Sequence, residues 1–325
     1  MASRLIGVEI GSHTVKLAVY QGGVIKNMAV ERMPDNLVTD GKINSPNAMS
    51  ELIRDICRRN GIRPGPCALV LPPNAVMAHM VSIPVMSEAE LKLNLPFEFR
   101  DFVGKESAKY DYDYSVIDVK DNVMQIYAAA VRKEVVEEYY DILRKAGLTL
   151  KVATPVEMAW LNLIRASKNA PSTLCIVDVG HKYSSVNIFS HGHFEMGRNI
   201  EIAGENFDTL IAEGQQIDPH VARTHKEANM DNVLAAGDLS DAYAELSIEV
   251  MRIINFYGSS SENSKELNDI YYCGGSSFIE AIRTAILKRT DLTMHHIGRL
   301  ISAPDIDDDS ILYCALAAGA AMQPQ

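Results

Sequence analysis

The sequence lacks three features: an excess of basic charge, a long hydrophobic run and a paired-cysteine motif. Its 325 residues carry a formal net charge of −11 and contain no run of Lys and Arg, which argues against a nucleic-acid partner held through phosphates. The longest near-apolar stretch, from Ile311 to Met322, is too short to span a bilayer and predicts a buried helix instead. Glu9 interrupts the apolar N-terminus, so no signal peptide is predicted. We therefore expect no nucleic acid and no direct membrane insertion.

The composition is that of a globular chain with a substantial core. Hydrophobic residues make up 47% and charged residues 22%. The length favours two domains, or one domain built of two lobes. An odd number of scattered cysteines without a C-x-x-C pair is typical of core thiols in a reducing cytoplasm. These cysteines are Cys57, Cys67, Cys175, Cys273 and Cys314.

The most informative feature is an internal repeat, in which residues 6–23 align with residues 175–192. Each copy is an apolar strand, an acid-x-Gly turn, a second strand and a glycine turn. The aligned pairs are Glu9 with Asp178, Gly11 with Gly180, Leu17 with Val186, Val19 with Ile188, Tyr20 with Phe189, and Gly23 with Gly192. A repeat this long indicates a duplicated domain rather than a stacked array. Two similar lobes with a cleft between them are therefore predicted.

An acid-x-Gly turn between paired strands has the chemistry of a phosphate and magnesium site. Glycine lets the turn point backbone N–H groups at phosphate oxygens, and a strand-end carboxylate can hold a hydrated Mg²⁺. The predicted phosphate-side residues are Gly11, Ser12, His13 and Lys16 in the first hairpin, and Gly180, His181 and Lys182 in the second. Glu9 and Asp178 are the predicted metal-side acids, acting through water. The alternative for either motif alone is a tight β-turn with a surface acid.

A third candidate element follows the apolar strand near residue 270. Its glycine pair, Gly274 and Gly275, would allow a flat ligand to approach the backbone, with helix N-terminal amides from Ser276 onward. Gly204 is assigned to the same nucleotide site. The alternative is a strand-to-helix loop capped by a serine. Arg252 and Glu249 have the i, i+3 spacing of a surface ion pair; the alternative, implied by the family resemblance given below, is that they face an adenosine pocket.

The segment 86–103 combines a helix start with an unusual number of large apolar residues. Ser87 and Glu90 have capping-box spacing, and Pro96 is expected to kink or interrupt the helix. The apolar residues exceed what one narrow stripe can bury, which predicts a partner-binding groove. Its candidate residues are Leu95, Phe97, Phe99 and Phe102. The alternative is that all four form a local core.

The motifs EIGSHTVK, DVGHKYSS and YYCGGSS match, in order and spacing, the two phosphate loops and the adenosine loop of the actin-like ATPase superfamily. Within it the chain resembles the PilM proteins of type IV pilus machines. The segments that carry this resemblance are 82–103, 112–118, 128–148 and 253–275.

The resemblance implies an α/β, two-lobed actin-like fold of the duplicated ribonuclease H-like type with a small inserted subdomain. Lobe I would comprise 1–171 plus 310–325, with the insertion at about 84–122, and lobe II would comprise 172–309, with a helical subdomain at about 213–262. It also implies ATP and Mg²⁺ as cofactors. The chain would be a cytoplasmic scaffold that binds the short cytoplasmic tail of a PilN-like inner-membrane protein, and self-association is left open.

Several positions depart from the superfamily pattern. The first metal-side acid is Glu9 where Asp is usual, and the second loop carries the bulky residues His181, Lys182 and Tyr183. Slow or absent ATP turnover is therefore expected. Two alternatives remain: a small-molecule kinase of the same superfamily, for which no catalytic Asp or sugar-binding insertion is identified, and an FtsA-like filament protein. The latter needs an amphipathic helix beyond the fold, whereas the sequence ends at Gln325 after the predicted closing helix.

Overall fold

The computed structural model describes residues 4–39 and 41–323. The strands are β1 (Arg4–Ile10), β2 (Thr14–Gln21), β3 (Val24–Arg32), β4 (Val38–Thr39), β5 (Lys42–Ile43), β6 (Gly65–Val70), β7 (Val76–Pro84), β8 (Tyr110–Lys120), β9 (Val123–Arg132), β10 (Leu148–Thr154), β11 (Thr173–Val179), β12 (Ser184–Ser190), β13 (His193–Ile200), β14 (Asp269–Cys273) and β15 (Thr293–His296). The α-helices are α1 (Pro46–Arg59), α2 (Glu88–Glu98), α3 (Arg100–Val103), α4 (Lys133–Lys145), α5 (Val156–Ala166), α6 (Gly204–Gln215), α7 (Pro219–Ala228), α8 (Gly237–Ser260), α9 (Glu280–Leu287) and α10 (Asp308–Ala321).

Two five-stranded sheets share one topology. The first has the order β3-β2-β1-β6-β10 and the second has the order β13-β12-β11-β14-β15. In each sheet the first three strands are antiparallel and the last two run parallel to the central strand. The repeat seen in the sequence is therefore a repeat of the fold, and the two-lobed α/β class is confirmed.

A pair of helices joins the two sheets. Helix α10 packs on β1, β2, β3 and β6, whereas α5 contacts β13 of the second sheet, and the two helices also contact each other. Glycine permits both close approaches, because a methyl group on Gly319 would lie 2.2 Å from the carbonyl oxygen of Ala159, and one on Gly7 would lie 1.7 Å from that of Ala317. The resulting apolar core includes residues of both lobes, among them the fully buried Trp160. The last described helix thus returns to the first sheet.

A third sheet, of order β7-β9-β8, forms a small unit that α2 covers on one face. The Ser87–Glu90 capping box is confirmed at the start of α2. The helix continues through Pro96 and is interrupted only at Phe99, where the backbone leaves helical geometry before α3 begins. The interruption expected at Pro96 thus falls three residues further on. The unit spans residues 76–132, wider than the expected 84–122.

The region expected to be mainly helical, 206–262, contains most of α6 and all of α7 and α8. Helix α7 is short and amphipathic, and Asp218 caps its N-terminus through a hydrogen bond from the His220 N–H. One face of α7 lies against the tips of the two repeated hairpins, where Arg223 contacts His13 and His181. Within the described ranges, no helix is both long and apolar enough to cross a membrane.

Candidate nucleotide site between the lobes

The tips of the β1–β2 and β11–β12 hairpins face each other across a cleft. The His13 and His181 ring centroids, one from each hairpin, lie 4.7 Å apart. The first turn is closed by a hydrogen bond from the Gly11 N–H to the Thr14 carbonyl at 2.9 Å. A methyl group on Gly180 would lie 2.6 Å from the Tyr183 carbonyl oxygen, so the second turn also needs glycine. A cavity of about 410 Å³ lies between the two turns.

The cavity collects most of the residues that the sequence predicts for the site. Those that line it are Glu9, Gly11, Ser12, His13, Lys16, Asp178, Gly180, His181, Lys182, Gly275 and Ser276. Gly204 and Gly274 are not among the lining residues. A methyl group on Gly204 would lie 2.5 Å from the Ser276 hydroxyl, so this glycine permits tight packing of α6 against the loop. The repeat therefore locates the cavity, although two of the predicted residues lie behind its wall.

The two acids line the cavity together with a lysine of β2. The Lys16 ammonium donates to a Glu9 carboxylate oxygen at 2.6 Å, and both side chains are largely buried. Burial alone would lower the pKa of Lys16, but the Glu9 and Asp178 carboxylates outweigh it and hold that pKa above its ordinary value. Lys16 is therefore a firmly charged partner of Glu9 in this structure.

Asp178 is the less compensated of the two acids. Burial raises its pKa to about 6; the Lys16 charge opposes this shift, and the Glu9 charge adds to it. The second Glu9 oxygen, Oε2, is also buried and has no hydrogen-bond partner among the described residues. Two carboxylates near one ammonium leave a negative charge in excess in this cluster, which favours a cation.

The donor set fits a hydrated magnesium ion. No group of three or more His, Cys, Asp or Glu side chains that could hold a metal occurs within the described ranges. Mg²⁺ commonly binds through one or two carboxylates and keeps several waters, with ligand phosphates completing its shell. The orphaned Glu9 oxygen and the Asp178 carboxylate are suited to such a role.

A second charged cluster, which was not predicted from the sequence, also lines the cavity. Helix α7 contributes Arg223, Lys226 and Glu227 to the lining. Asp208 of α6 accepts from Arg223 Nε at 2.9 Å and pairs with the Lys226 ammonium at 2.6 Å. Arg223, Lys226 and Glu227 have i, i+3 and i+4 spacing, so they share one face of α7. That spacing was visible in the sequence, but nothing in it indicated that the face meets the hairpins.

The glycine loop after β14 is in close contact with the second hairpin. Gly274 has a φ of +95°, and a methyl group there would lie 2.2 Å from the Asp178 carboxylate. The Ser276 N–H donates to the Val179 carbonyl at 2.8 Å, and its hydroxyl donates to the Gly180 carbonyl at 3.1 Å. Helix α9 begins only at Glu280, so the expectation that helix N-terminal amides follow at Ser276 is wrong, as is the serine-cap alternative.

The two readings of Arg252 and Glu249 are distinguished by their position in the fold. Arg252 and Glu249 form an ion pair at 2.7 Å on α8, and Arg252 is exposed. They line a separate surface groove beside β13, so the surface-pair alternative holds.

The candidate partner residues fall into two groups. Leu95 and Phe99 are 2% and 0% exposed and belong to the core of the small sheet, so their assignment to a binding surface is wrong. Phe97 and Phe102 are 67% and 66% exposed. The segment thus has a core face and an apolar surface.

The duplicated sheets with facing hairpin turns define the class of actin-like ATPase folds. Three solved structures share this fold with the chain. A PilM–PilN type IV pilus biogenesis complex aligns with a TM-score of 0.82 and 19% identity over 98% of this chain and 99% of that chain. The ethanolamine utilization protein EutJ from Carboxydothermus hydrogenoformans aligns with a TM-score of 0.61 and 13% identity, over 98% of this chain and 90% of that chain. MreB5 of Spiroplasma citri bound to ADP aligns with a TM-score of 0.54 and 14% identity, over 97% of this chain and 94% of that chain.

Sequence comparison supplies the family. The profile of the type IV pilus assembly protein PilM matches residues 7–302, so the chain belongs to the PilM family of actin-like proteins. A search among curated proteins found no match.

Proposed function

We propose that this type IV pilus protein binds Mg·ATP in the cleft and serves as a scaffold for an inner-membrane partner. The observation that carries the nucleotide assignment is the presence of two separate charge clusters in one cavity. Glu9 and Asp178 belong to the cluster around Lys16, Arg223 and Lys226 belong to the cluster around Asp208, and the glycine turns of both hairpins line the same cavity. A polyphosphate with a bound divalent cation has the complementary distribution of charge. The related fold of Spiroplasma citri MreB5 holds ADP, which supports the same ligand class.

Within this proposal each group has a defined task. Magnesium, when bound, would neutralise phosphate charge; Asp178 and the free Glu9 oxygen would hold it through water. The backbone N–H groups of Ser12 and His181 would contact phosphate oxygens. Lys16 is already bound to Glu9, so it contributes a fixed positive charge more than a mobile donor.

The partner assignment rests on the family and on the surface of the small unit. The solved structure with a TM-score of 0.82 is a PilM–PilN complex, and Phe97 and Phe102 are large exposed apolar side chains. We propose that they contact a short cytoplasmic peptide of a PilN-like membrane protein. The chain would then act in the cytoplasm, at the inner face of the membrane through that partner, without contacting nucleic acid.

Asp178→Ala tests the nucleotide site. The variant should bind Mg·ATP at least tenfold more weakly, which is about 1.4 kcal/mol, because the cation loses its less compensated carboxylate. Calorimetric titration measures the affinity. Asp113→Ala, at an exposed position on β8, is the matched control and should bind normally. Wild-type affinity in Asp178→Ala would remove this residue from the site.

Phe97→Ala tests the partner surface. A pulldown with the cytoplasmic tail of the candidate membrane partner, with and without ATP, should lose capture in this variant. Phe256→Ala removes a comparably exposed phenylalanine from α8 in the second lobe and should keep it. Normal capture by a folded Phe97→Ala protein would show that the peptide binds elsewhere.

A further inference from the structure

A buried charge cluster behind the hairpins carries one positive charge in excess. The Asp208 side chain is 2% exposed and is shared by Lys226, which is 5% exposed, and Arg223, which is 12% exposed. Lys226 also donates to the Gly204 carbonyl at 2.8 Å. One carboxylate therefore faces two cations in a largely dry environment. An uncompensated buried charge is costly, so the cluster favours an added anion.

The uncompensated end is the tip of the Arg223 guanidinium. Its Nε is bound to Asp208, but the hydrogen bonds of its terminal nitrogens within the described residues are to imidazole nitrogens: Nη1 lies 3.3 Å from His13 Nε2, and Nη2 lies 3.4 Å from His181 Nε2. These distances exceed the ordinary hydrogen-bond range. The guanidinium tip thus faces the cavity with weak partners, and two planar donors suit a tetrahedral oxyanion.

We propose that Arg223 binds a phosphate group at the tips of the two hairpins, and that His13 and His181 take up protons as this anion binds. This inference rests on the proposed nucleotide function and extends it to a proton-linked anion site. His13 comes from the first lobe and His181 from the second, so an anion on Arg223 would contact both lobes.

The environment of each histidine explains the proton linkage. Burial and the Arg223 charge lower the pKa of His13 to about 4, with Arg32 of β3 acting in the same direction and Asp208 and Asp35 opposing. Burial, Arg223 and then His13 itself lower the pKa of His181 to about 3, with Lys226 and Arg32 adding to the effect; Asp208 lies 4.0 Å from His181. Both rings are therefore neutral at neutral pH.

The direction of the pH effect follows from the charges. An anion beside the rings favours the imidazolium form and raises both pKa values in the bound state. A group whose pKa is higher in the complex than in the free protein takes up a proton on binding. Affinity should therefore increase as the pH falls from the raised pKa of the bound state towards about 4, the pKa of His13 in the free protein, by at most about tenfold per pH unit for each proton taken up.

Sulfate is the appropriate probe, because its charge stays constant in this range whereas phosphate groups titrate. We expect sulfate to bind at least about threefold more tightly at about pH 5 than at about pH 8, as measured by calorimetry and by NMR of the histidine rings. Arg223→Met should weaken sulfate binding about tenfold. Arg252→Met, which removes an exposed arginine from α8, should have no effect.

The His13→Gln, His181→Gln double variant separates the proton linkage from folding. It should still bind sulfate but with little pH dependence, and it keeps the test valid if Arg223→Met fails to fold. Unchanged sulfate affinity in folded Arg223→Met, or retained pH dependence in the double variant, would overturn the inference. Loss of Mg·ATP binding in Asp178→Ala with sulfate binding independent of Arg223 would leave the proposed function intact. Arg223-dependent sulfate binding without any Mg·ATP binding would support the anion site and refute the proposed nucleotide function.

Discussion

Two aspartates of the second lobe should respond in opposite directions when each is changed to asparagine. Asp178 has its pKa raised to about 6 from an ordinary value of 3.8, chiefly by burial, so its charged form is unfavourable in the folded protein. Asp208 lies 2.6 Å from Lys226 and 2.9 Å from Arg223, so its charge is needed. Asp178→Asn should stabilise the nucleotide-free protein, and Asp208→Asn should destabilise it.

The magnitudes follow from the same environments. A shift of two pKa units corresponds to about 3 kcal/mol for a dry carboxylate; Asp178 keeps some contact with the cavity, so we expect about 1–2 kcal/mol. Because the folded pKa is the higher one, the contribution of Asp178 to wild-type stability should fall as the pH rises from about 4 to about 6, and the gain in Asp178→Asn should be complete above about pH 6. Asp208→Asn leaves two buried cations without their carboxylate and should cost about 3 kcal/mol or more.

Chemical denaturation without nucleotide, at about pH 7 and about pH 4, measures both effects. Asp178→Asn should gain stability only at the higher pH and should also lose the thermal shift caused by Mg·ATP. A destabilised Asp178→Asn protein at about pH 7 would mean that its carboxylate is compensated in the folded state. A stable Asp208→Asn protein would contradict the claim that the Asp208 carboxylate compensates the charges of Arg223 and Lys226.

Three further predictions concern other parts of the chain. Phe99→Ala should cost about 3–5 kcal/mol, since its ring is fully buried, whereas Phe97→Ala should change the free energy of unfolding by less than about 0.5 kcal/mol; equal losses in urea denaturation would contradict this division. ATP should be turned over far below the 1–100 per second typical of kinases, so a phosphate-release assay showing rapid hydrolysis that disappears in Asp178→Ala would be contrary to expectation. Gly7→Val should prevent normal docking of α10, because a side chain there meets the Ala317 carbonyl at 1.7 Å; a wild-type Tm would refute this.

The sequence predicted the duplicated architecture because the repeat preserves both strand pairing and turn chemistry. An acid at the strand end, a glycine two residues later and alternating apolar positions determine a hairpin locally. Glu9 pairs in register with Lys16, and Asp178 pairs with Ser185 at the corresponding place. Local patterns of this kind survive in the fold, so the equivalent positions of the two acids were predictable from the sequence, and their role towards a metal stays a prediction.

The sequence could not predict the contacts that depend on how distant helices pack. Arg223 and Asp208 lie on separate helices, and their shared role arises only when α7 meets the hairpins. Phe97 and Phe99 are two positions apart and identical in chemistry, but Phe97 is exposed and Phe99 belongs to the core of the small sheet. The helical break at Phe99 separates these faces, and composition alone does not reveal which residue turns inward.

The two lobes are held together by different physical means on the two sides of the cleft. Behind it, α5 and α10 pack through an apolar core with close backbone approach, which resists displacement because dense packing tolerates little rearrangement. In front, α7 is bound to the first lobe through an ion pair between Glu227 and Arg32 and a contact of 3.7 Å between His220 and Asp35. These side chains are substantially exposed, and exposed ion pairs contribute little and weaken with salt. Separating the lobes at the cleft would therefore cost less free energy on the α7 side than in the core formed by α5 and α10.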